Sequence, residues 1–397
     1  MTEATSTHPV VYPAPWSTPR RPPAEYVTGP VIRRCRILYG GTGWLVTGMA
    51  AARAVLADSE TFSSDTTRPE FPRVPLASKR SIPGHFLMMD PPEHTRLRRL
   101  VATELSPGRS RARTAAVTEV ANTLVDELVA AGRGADLVET VAGPLAALNA
   151  ATVFGTPVAD TGLFTSIARR LQRHDATAAQ RTAASGELNR YFARAIPAAR
   201  DSTSQNLLRV LATALDDGFE LDELIGVANL TSLAGLETMA GLLSLTLLSL
   251  FEHPDQGDLV RADPRAWAGP AVNEALRYWT LVQHGVVRVA TRGTVVAGQS
   301  IQAGEALLIS LPAANRDSAV YDRPHDFDLT RDARQHLAFG HGTHRCLGAP
   351  IATAQVELAV TALLTRLPDL RLACASRDLS FLDDMFIYGL RRLPVTW

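Results

Sequence analysis

Apolar residues recur at helical spacing from about residue 48 to residue 282, most regularly over 114–128, 207–215 and 221–251. A chain with that period must bury helical stripes against one another, so a helix-rich body is expected. The texture changes after His284. Short β-like runs broken by glycine follow at 285–290, 294–296, 306–311, 370–374 and 385–390, interrupted by one long helical pattern at 350–367. No Ser/Gly linker, charge run or internal repeat marks the switch, so residues 1–397 read as one domain, mainly α with a small β region. Residues 1–22 are proline-rich and read as an irregular N-terminal segment.

The 40 basic and 40 acidic residues cancel, which removes any chain-wide electrostatic case for nucleic acid or an anionic membrane surface. Almost every basic residue is arginine, Lys79 being the only lysine. The three cysteines, Cys35, Cys346 and Cys374, lie far apart without Cys-x-x-Cys spacing, so neither a disulfide framework nor a zinc knuckle is expected. The N-terminus lacks the charged and apolar regions of a signal peptide. The most apolar stretch, 239–251, is shorter than the roughly 18 to 20 residues a membrane span needs, and reads as a buried core helix. A soluble, cytoplasmic protein is the expectation.

The sharpest chemical signal is the segment 337–350, a glycine-rich loop with one cysteine running straight into a helical pattern. A lone cysteine is ordinarily a small buried hydrophobe. Its neighbours argue otherwise here. A thiolate ligand needs close backbone approach, which Gly340, Gly342 and Gly348 permit, and a helix N-terminus beside it, which begins near Leu347. The run Phe339-Gly340-His341-Gly342-Thr343-His344-Arg345-Cys346-Leu347-Gly348 resembles, at every fixed position, the haem-binding loop of the cytochrome P-450 family. The resemblance implies that family's fold, a helix-rich triangular prism with haem between the long central helix and the helix after the cysteine loop. It also implies haem b, with Cys346 as axial ligand of the iron, Phe339 packed beside it, Gly340 and Gly348 shaping the loop, and His344 reaching a propionate. Cysteine rather than histidine favours O–O cleavage.

Other segments match the family in its own order. Glu274 and Arg277 stand three residues apart on a helical pattern, ordinarily only an exposed pair. They resemble the family's Glu-x-x-Arg helix, which implies a buried scaffold pair joined by Arg331. Asn315-Arg316-Asp317 also fits the stretch before the cysteine loop. The run Ala234-Gly235-Leu236-Glu237-Thr238 puts a glycine and an acid inside a helical pattern, where both are costly unless compensated. In the family such a run lies on the distal side of the haem, which implies Ala234 and Gly235 near the cofactor. It assigns Glu237 and Thr238 as the catalytic pair relaying protons toward the oxygen-activation site. Met239 replaces a common second threonine, and glutamate the commoner aspartate.

Asp90, Pro91 and Glu93 read as an N-cap, first helical position and capping box, with His94 and Arg98 then sharing one face. By resemblance His94, Arg98 and Arg288 hold haem propionates, which need cationic donors. After Arg277 the family's usual proline is missing. The connection that follows faces substrate in the family, making Leu281, Val282, Gln283 and His284, with Met385 and Phe386 near the end, the pocket candidates.

The resemblance therefore implies a monooxygenase that uses O2 to hydroxylate or epoxidise a small, largely apolar natural product. Its electrons would come from a ferredoxin and ferredoxin reductase, because the chain has no room for a flavin domain. Arg96, Arg99, Arg109, Arg111, Arg113 and Arg345 offer a basic patch for such an acidic donor. Oxidative C–C or C–N coupling of an aromatic or cyclodipeptide substrate is the alternative. A haem sensor or carrier without turnover is a third reading, against which the Glu237–Thr238 pair speaks.

Overall fold

The most apolar period in the sequence becomes the centre of the protein. The computed structural model describes residues 10–14, 21–74 and 82–397. The helices that frame its interior are α1 (Glu93–Ala102), α2 (Thr114–Ala131), α3 (Gly143–Phe154), α4 (Thr161–Gln172), α5 (Ala178–Ala198), α6 (Leu207–Ala214), α7 (Leu221–Ala234), α8 (Leu236–Glu252), α9 (Pro264–Trp279) and α10 (Ala349–Arg366). α8 is packed on several sides, against α3, α9 and α10. It accordingly buries nearly every side chain from Gly241 to Leu250, and a helix apolar all round belongs in a core. Leu243, Leu247, Val272, Val360 and Leu363 share one apolar cluster, while Phe164, Leu188, Phe192, Leu211 and Leu224 from α4 to α7 form a second. Together α7 and α8, Leu221–Glu252, are long and apolar enough to cross a membrane. However, 72% of that apolar window is buried inside the fold, so it is core, as expected from the shorter 239–251 count.

The β region is broader than the sequence pattern suggests. Strands β1 (Val11–Tyr12), β2 (Ile32–Ile37), β3 (Thr42–Val46), β4 (Phe62–Ser63), β5 (Val287–Ala290) and, later in the chain, Ala306–Ile309 build a six-stranded sheet. Ala306–Ile309 lies at its middle, between β3 and β5. Three of its strands precede residue 48, and β1 falls in the segment read as irregular. Three arginines interrupt β2, which hides the strand in a hydropathy count, although Ile32, Cys35 and Ile37 are buried. The expected run at 385–390 is not a strand. It makes only isolated bridges, Met385 to Arg173, Ile387 to Val282 and Leu390 to Phe381.

Asp90 is not a helix cap, contrary to the sequence reading. α1 begins at Glu93, with Pro92 at the cap position. The Asp90 carboxylate instead accepts hydrogen bonds from the Ser64 amide at 2.7 Å and the Ser63 hydroxyl at 2.5 Å. It ties the entry of α1 to the edge of the sheet.

Two features of burial set stability. Glu274 and Arg277 are both fully buried, 2.6 Å apart, and Arg331 reaches the same carboxylate at 3.1 Å. Arg277 also donates to the carbonyls of Asn315, Pro324 and Asp326. The three side chains therefore share one buried carboxylate. Removing Glu274 would leave Arg277 as an uncompensated buried charge, so Glu274→Ala is expected to cost about 3–5 kcal/mol. A urea midpoint shift checks this, and an exposed-pair value below about 1 kcal/mol would contradict it.

The second feature is a set of histidines held neutral. Burial, the largest cause in each case, pushes His85, His94, His284 and His336 down from 6.5 to about 4. Between these values the unfolded chain takes up protons that the folded chain refuses. For the chain free of bound groups, stability is therefore full above pH 6.5 and falls as pH drops toward 4. Urea midpoints at pH 7 and pH 5 measure this, and a higher midpoint at pH 5 would be inconsistent with it.

Candidate active site

Cys346 stands just before α10, and the N–H groups of Gly348 and Ala349 at the helix start point at its sulfur. Burial pushes the thiol up, while those two amides, Arg98 and Arg345 oppose the rise. Helix-start amides and two guanidinium groups are the donors a thiolate needs. The loop is fixed from behind. The Cys346 amide donates to the Phe339 carbonyl at 2.8 Å, and Gly340 and Gly342 both adopt positive φ. A Cβ on Gly342 would sit 2.1 Å from the Leu56 carbonyl oxygen, so only glycine fits there.

Next to the cysteine lies a group of basic side chains. His94 of α1 and His344 are tilted against each other with ring centroids 4.2 Å apart. Both ring nitrogens of His94 and Nε2 of His344 are buried without a hydrogen-bond partner. Burial, then Arg288, holds His344 down to about 2. Arg288 is buried too, lowered to about 10 by burial, and donates to the Val287 carbonyl next door. Arg98 donates to the Arg345 carbonyl at 2.5 Å. Orphaned buried donors beside two guanidinium groups call for an anion. A thiol with directed amides next to such a cluster fits a metal-centred cofactor that carries carboxylates.

The relay candidates stand at the start of α8. Leu236, beside Glu237, is buried in one cluster with Ile351 of α10, and Leu233 and Leu347 pack against it. The break between α7 and α8 falls at Gly235. Ala234 is exposed although its helix lies inside the protein, which places it on the wall of a cleft. The Thr238 hydroxyl donates to the Ala234 carbonyl at 2.7 Å, so its lone pairs remain to accept. Glu237 is buried and pairs with Arg169 of α4 at 3.2 Å. Sequence reasoning missed Arg169, because nothing in its own helical period distinguishes it from Arg170 beside it, which pairs with Glu187.

The pocket candidates lie on two neighbouring segments, 281–284 and 385–386. Leu281 packs where a Cβ on Gly241 would lie, one turn beyond Thr238 on α8. From there the chain passes Val282, bridged to Ile387, and continues to Arg288 at the basic cluster. Gln283 and His284 lie between Leu281 and Arg288 in the chain. Both are buried; Gln283 donates to the Trp279 carbonyl, and the His284 ring nitrogens have no partner. His284 meets Phe386 edge-on and His174 obliquely, each at 5.3 Å between centroids. The end of α4 seals this roof, since the Phe386 amide donates to the Gln172 carbonyl and the His174 amide to Asp384. His174 is a further residue the sequence did not single out.

The basic patch is narrower than expected. Arg96 is paired with Glu223, and Arg109 and Arg113 share Glu104 at 2.9 Å each. Arg99 and Arg111 are exposed and, like Arg345, form no ion pair among the described residues.

Known proteins resemble this chain in sequence and fold. The family model described as Cytochrome P450 matches residues 270–368, which include Glu274, Arg277, Arg331 and Cys346. The chain is 38% identical over 370 residues to cytochrome P450-SU2 of Streptomyces griseolus, covering 92% of this chain and 90% of that one. It is 38% identical to the cytochrome P450 monooxygenase PikC of Streptomyces venezuelae, covering 96% and 91%. Among solved structures, cytochrome P450 TxtC, whose structure concerns sequential aliphatic and aromatic thaxtomin hydroxylation, superposes with TM-score 0.88 at 30% identity over 94% of this chain and 98% of its own. With this fold, this cysteine loop and these relatives, the chain belongs to the cytochrome P450 family of haem-thiolate oxidoreductases.

Proposed function

We propose that this enzyme hydroxylates or epoxidises a small, largely apolar natural product in the cytoplasm, with haem b as cofactor and a ferredoxin with its reductase as electron source. The observation that carries this reading is the Glu237–Thr238 pair at the Gly235 break, with the Thr238 hydroxyl on the Ala234 carbonyl and Glu237 buried against Arg169; Leu281, Val282, Met385 and Phe386 are its proposed pocket wall. Haem, when bound, supplies the oxygen-activating chemistry. The residues do the rest. Cys346 holds the iron, its sulfur steadied by the Gly348 and Ala349 amides, with Phe339 and Gly340 keeping the loop in place. His94, His344, Arg98 and Arg288 take the propionates, each neutral imidazole donating its single N–H. Glu237 passes protons to the Thr238 hydroxyl, which can hand its own proton on once it turns from Ala234. Gln283 and His284 orient the polar end of the substrate.

Oxygen labelling tests the reaction. With ¹⁸O2, ferredoxin, reductase and candidate substrates, the product should gain one labelled oxygen atom, and the carbon monoxide band near ~450 nm should vanish in Cys346→Ser. An unlabelled, dehydrogenated dimer or adduct would select oxidative coupling instead. No product with any substrate, alongside tight diatomic binding, would select the sensor reading.

Electron delivery gives a second test. Arg99 and Arg111 carry charge not neutralised by a neighbour, unlike Arg96, Arg109 and Arg113. Arg99→Glu with Arg111→Glu is expected to slow reduction by ferredoxin severalfold and leave substrate affinity unchanged. Equal reduction rates would remove these residues from the docking face.

A further inference from the structure

A continuous set of aromatic rings leads away from the relay and has no part in the reaction described above. Tyr388 stacks on Phe381 at 5.4 Å and on Trp279 at 6.2 Å between centroids. Trp279 meets Tyr278 edge-on at 5.4 Å, and Tyr278 meets Phe327 at 5.7 Å and His253 at 6.3 Å. α8 serves as a ruler for this path. The Tyr388 carbonyl abuts Gly241, three residues or about 4.5 Å along the helix from Thr238. The Trp279 indole N–H donates to the Ser249 hydroxyl at 2.7 Å, eleven residues or about 16 Å from Thr238. Tyr278 then faces His253, half-buried beyond the end of α8.

Packing alone accounts for the rings but not for their identity. Phenylalanine buries comparable area, yet three adjoining positions hold the most readily oxidised aromatic side chains. We propose that Tyr388, Trp279 and Tyr278 form a hole-transfer path that discharges oxidising equivalents from the haem site when no substrate takes them. The inference rests on the haem chemistry of the family and is independent of which substrate is hydroxylated.

The electron count closes. Hydrogen peroxide at the haem becomes two waters by taking two electrons and two protons. Each electron reaches the haem site from Trp279 by way of Tyr388, the Trp279 N–H staying hydrogen-bonded to Ser249, and Trp279 is refilled from Tyr278. The guanidinium groups of Arg277 and Arg316 lie 6.0 and 5.0 Å from the Tyr278 ring and disfavour a cationic ring, so oxidised Tyr278 gives its phenolic proton to water, while the two protons consumed at the haem site enter from water through Glu237. A one-electron, one-proton reductant of the ascorbate class then restores Tyr278, twice per peroxide.

The test uses haem-loaded enzyme without substrate, mixed with hydrogen peroxide and freeze-quenched for electron paramagnetic resonance, with haem bleaching followed in parallel. Wild type is expected to show a tyrosyl or tryptophanyl radical that ascorbate removes. Trp279→Phe should lose most of that signal and bleach severalfold faster, while its carbon monoxide band stays intact. Tyr388→Phe deletes a single hydroxyl and keeps the ring, so it gives the same reading if Trp279→Phe folds poorly. Absence of any protein radical in wild type overturns the inference, as do unchanged radical yield and bleaching in the variants.

Discussion

The carboxylate of Glu274 is the point from which the cysteine loop is positioned. A buried ion pair is seldom a net source of stability, because desolvating both partners costs about what their attraction returns. Its use here is geometric. Arg277, held by Glu274, donates to three carbonyls in the segment between 315 and 326, and Arg331 closes on the same carboxylate. Asn315 extends the chain of contacts in both directions, donating to Thr280 at the end of α9 and accepting from the Leu337 amide at 2.6 Å. Leu337 opens the loop that ends at Cys346. The place of the sulfur is thus set through hydrogen bonds that reach back to one carboxylate.

The opposite arrangement holds on the other wall. His94, His344, Arg98 and Arg288 gather without an acid that neutralises them, Asp90 being the nearest carboxylate to act on His94 and Arg288. Asp90 itself is engaged by Ser63 and Ser64. Folding this cluster leaves buried donors unsatisfied, at a cost of about 1–3 kcal/mol for each such group. A ligand with two carboxylates recovers that energy, so cofactor binding and folding are linked. One side of the site is complete in the polypeptide and the other is completed by what it binds.

How much of this the sequence discloses depends on whether the determinant is local. The cysteine loop, the Glu-x-x-Arg turn and the acid–alcohol pair are contiguous, so each can be read directly from the sequence. Arg331 was also legible, because its family position is fixed relative to the loop. Arg169 was not, since its pairing with Glu237 joins residues 68 apart and leaves no periodic trace. The cap assigned to Asp90 failed for a similar reason: Ser63 of the edge strand and Ser64 just after it outcompeted the helix for its carboxylate. The N-terminal strands escaped notice because β2 alternates arginine with buried residues, a pattern visible only once β3 is beside it.

The pocket is where locality fails most completely. His284 is enclosed by Phe386 and His174, while the Gly285 amide following it is held by the Tyr12 hydroxyl at 3.0 Å. Four segments distant in sequence therefore meet at one imidazole. Backbone bonds make most of these joins: the Phe386 amide to the Gln172 carbonyl, the His174 amide to Asp384, and the Tyr388 amide to Leu281. Such bonds do not depend on side-chain identity, so the walls can exchange residues while the roof stays closed. Gly285 is the exception, since a Cβ there would lie 2.6 Å from the Phe386 ring and its φ is +92°. The hydrogen bonds that tie the sulfur to one carboxylate thus run apart from the backbone bonds that close this roof.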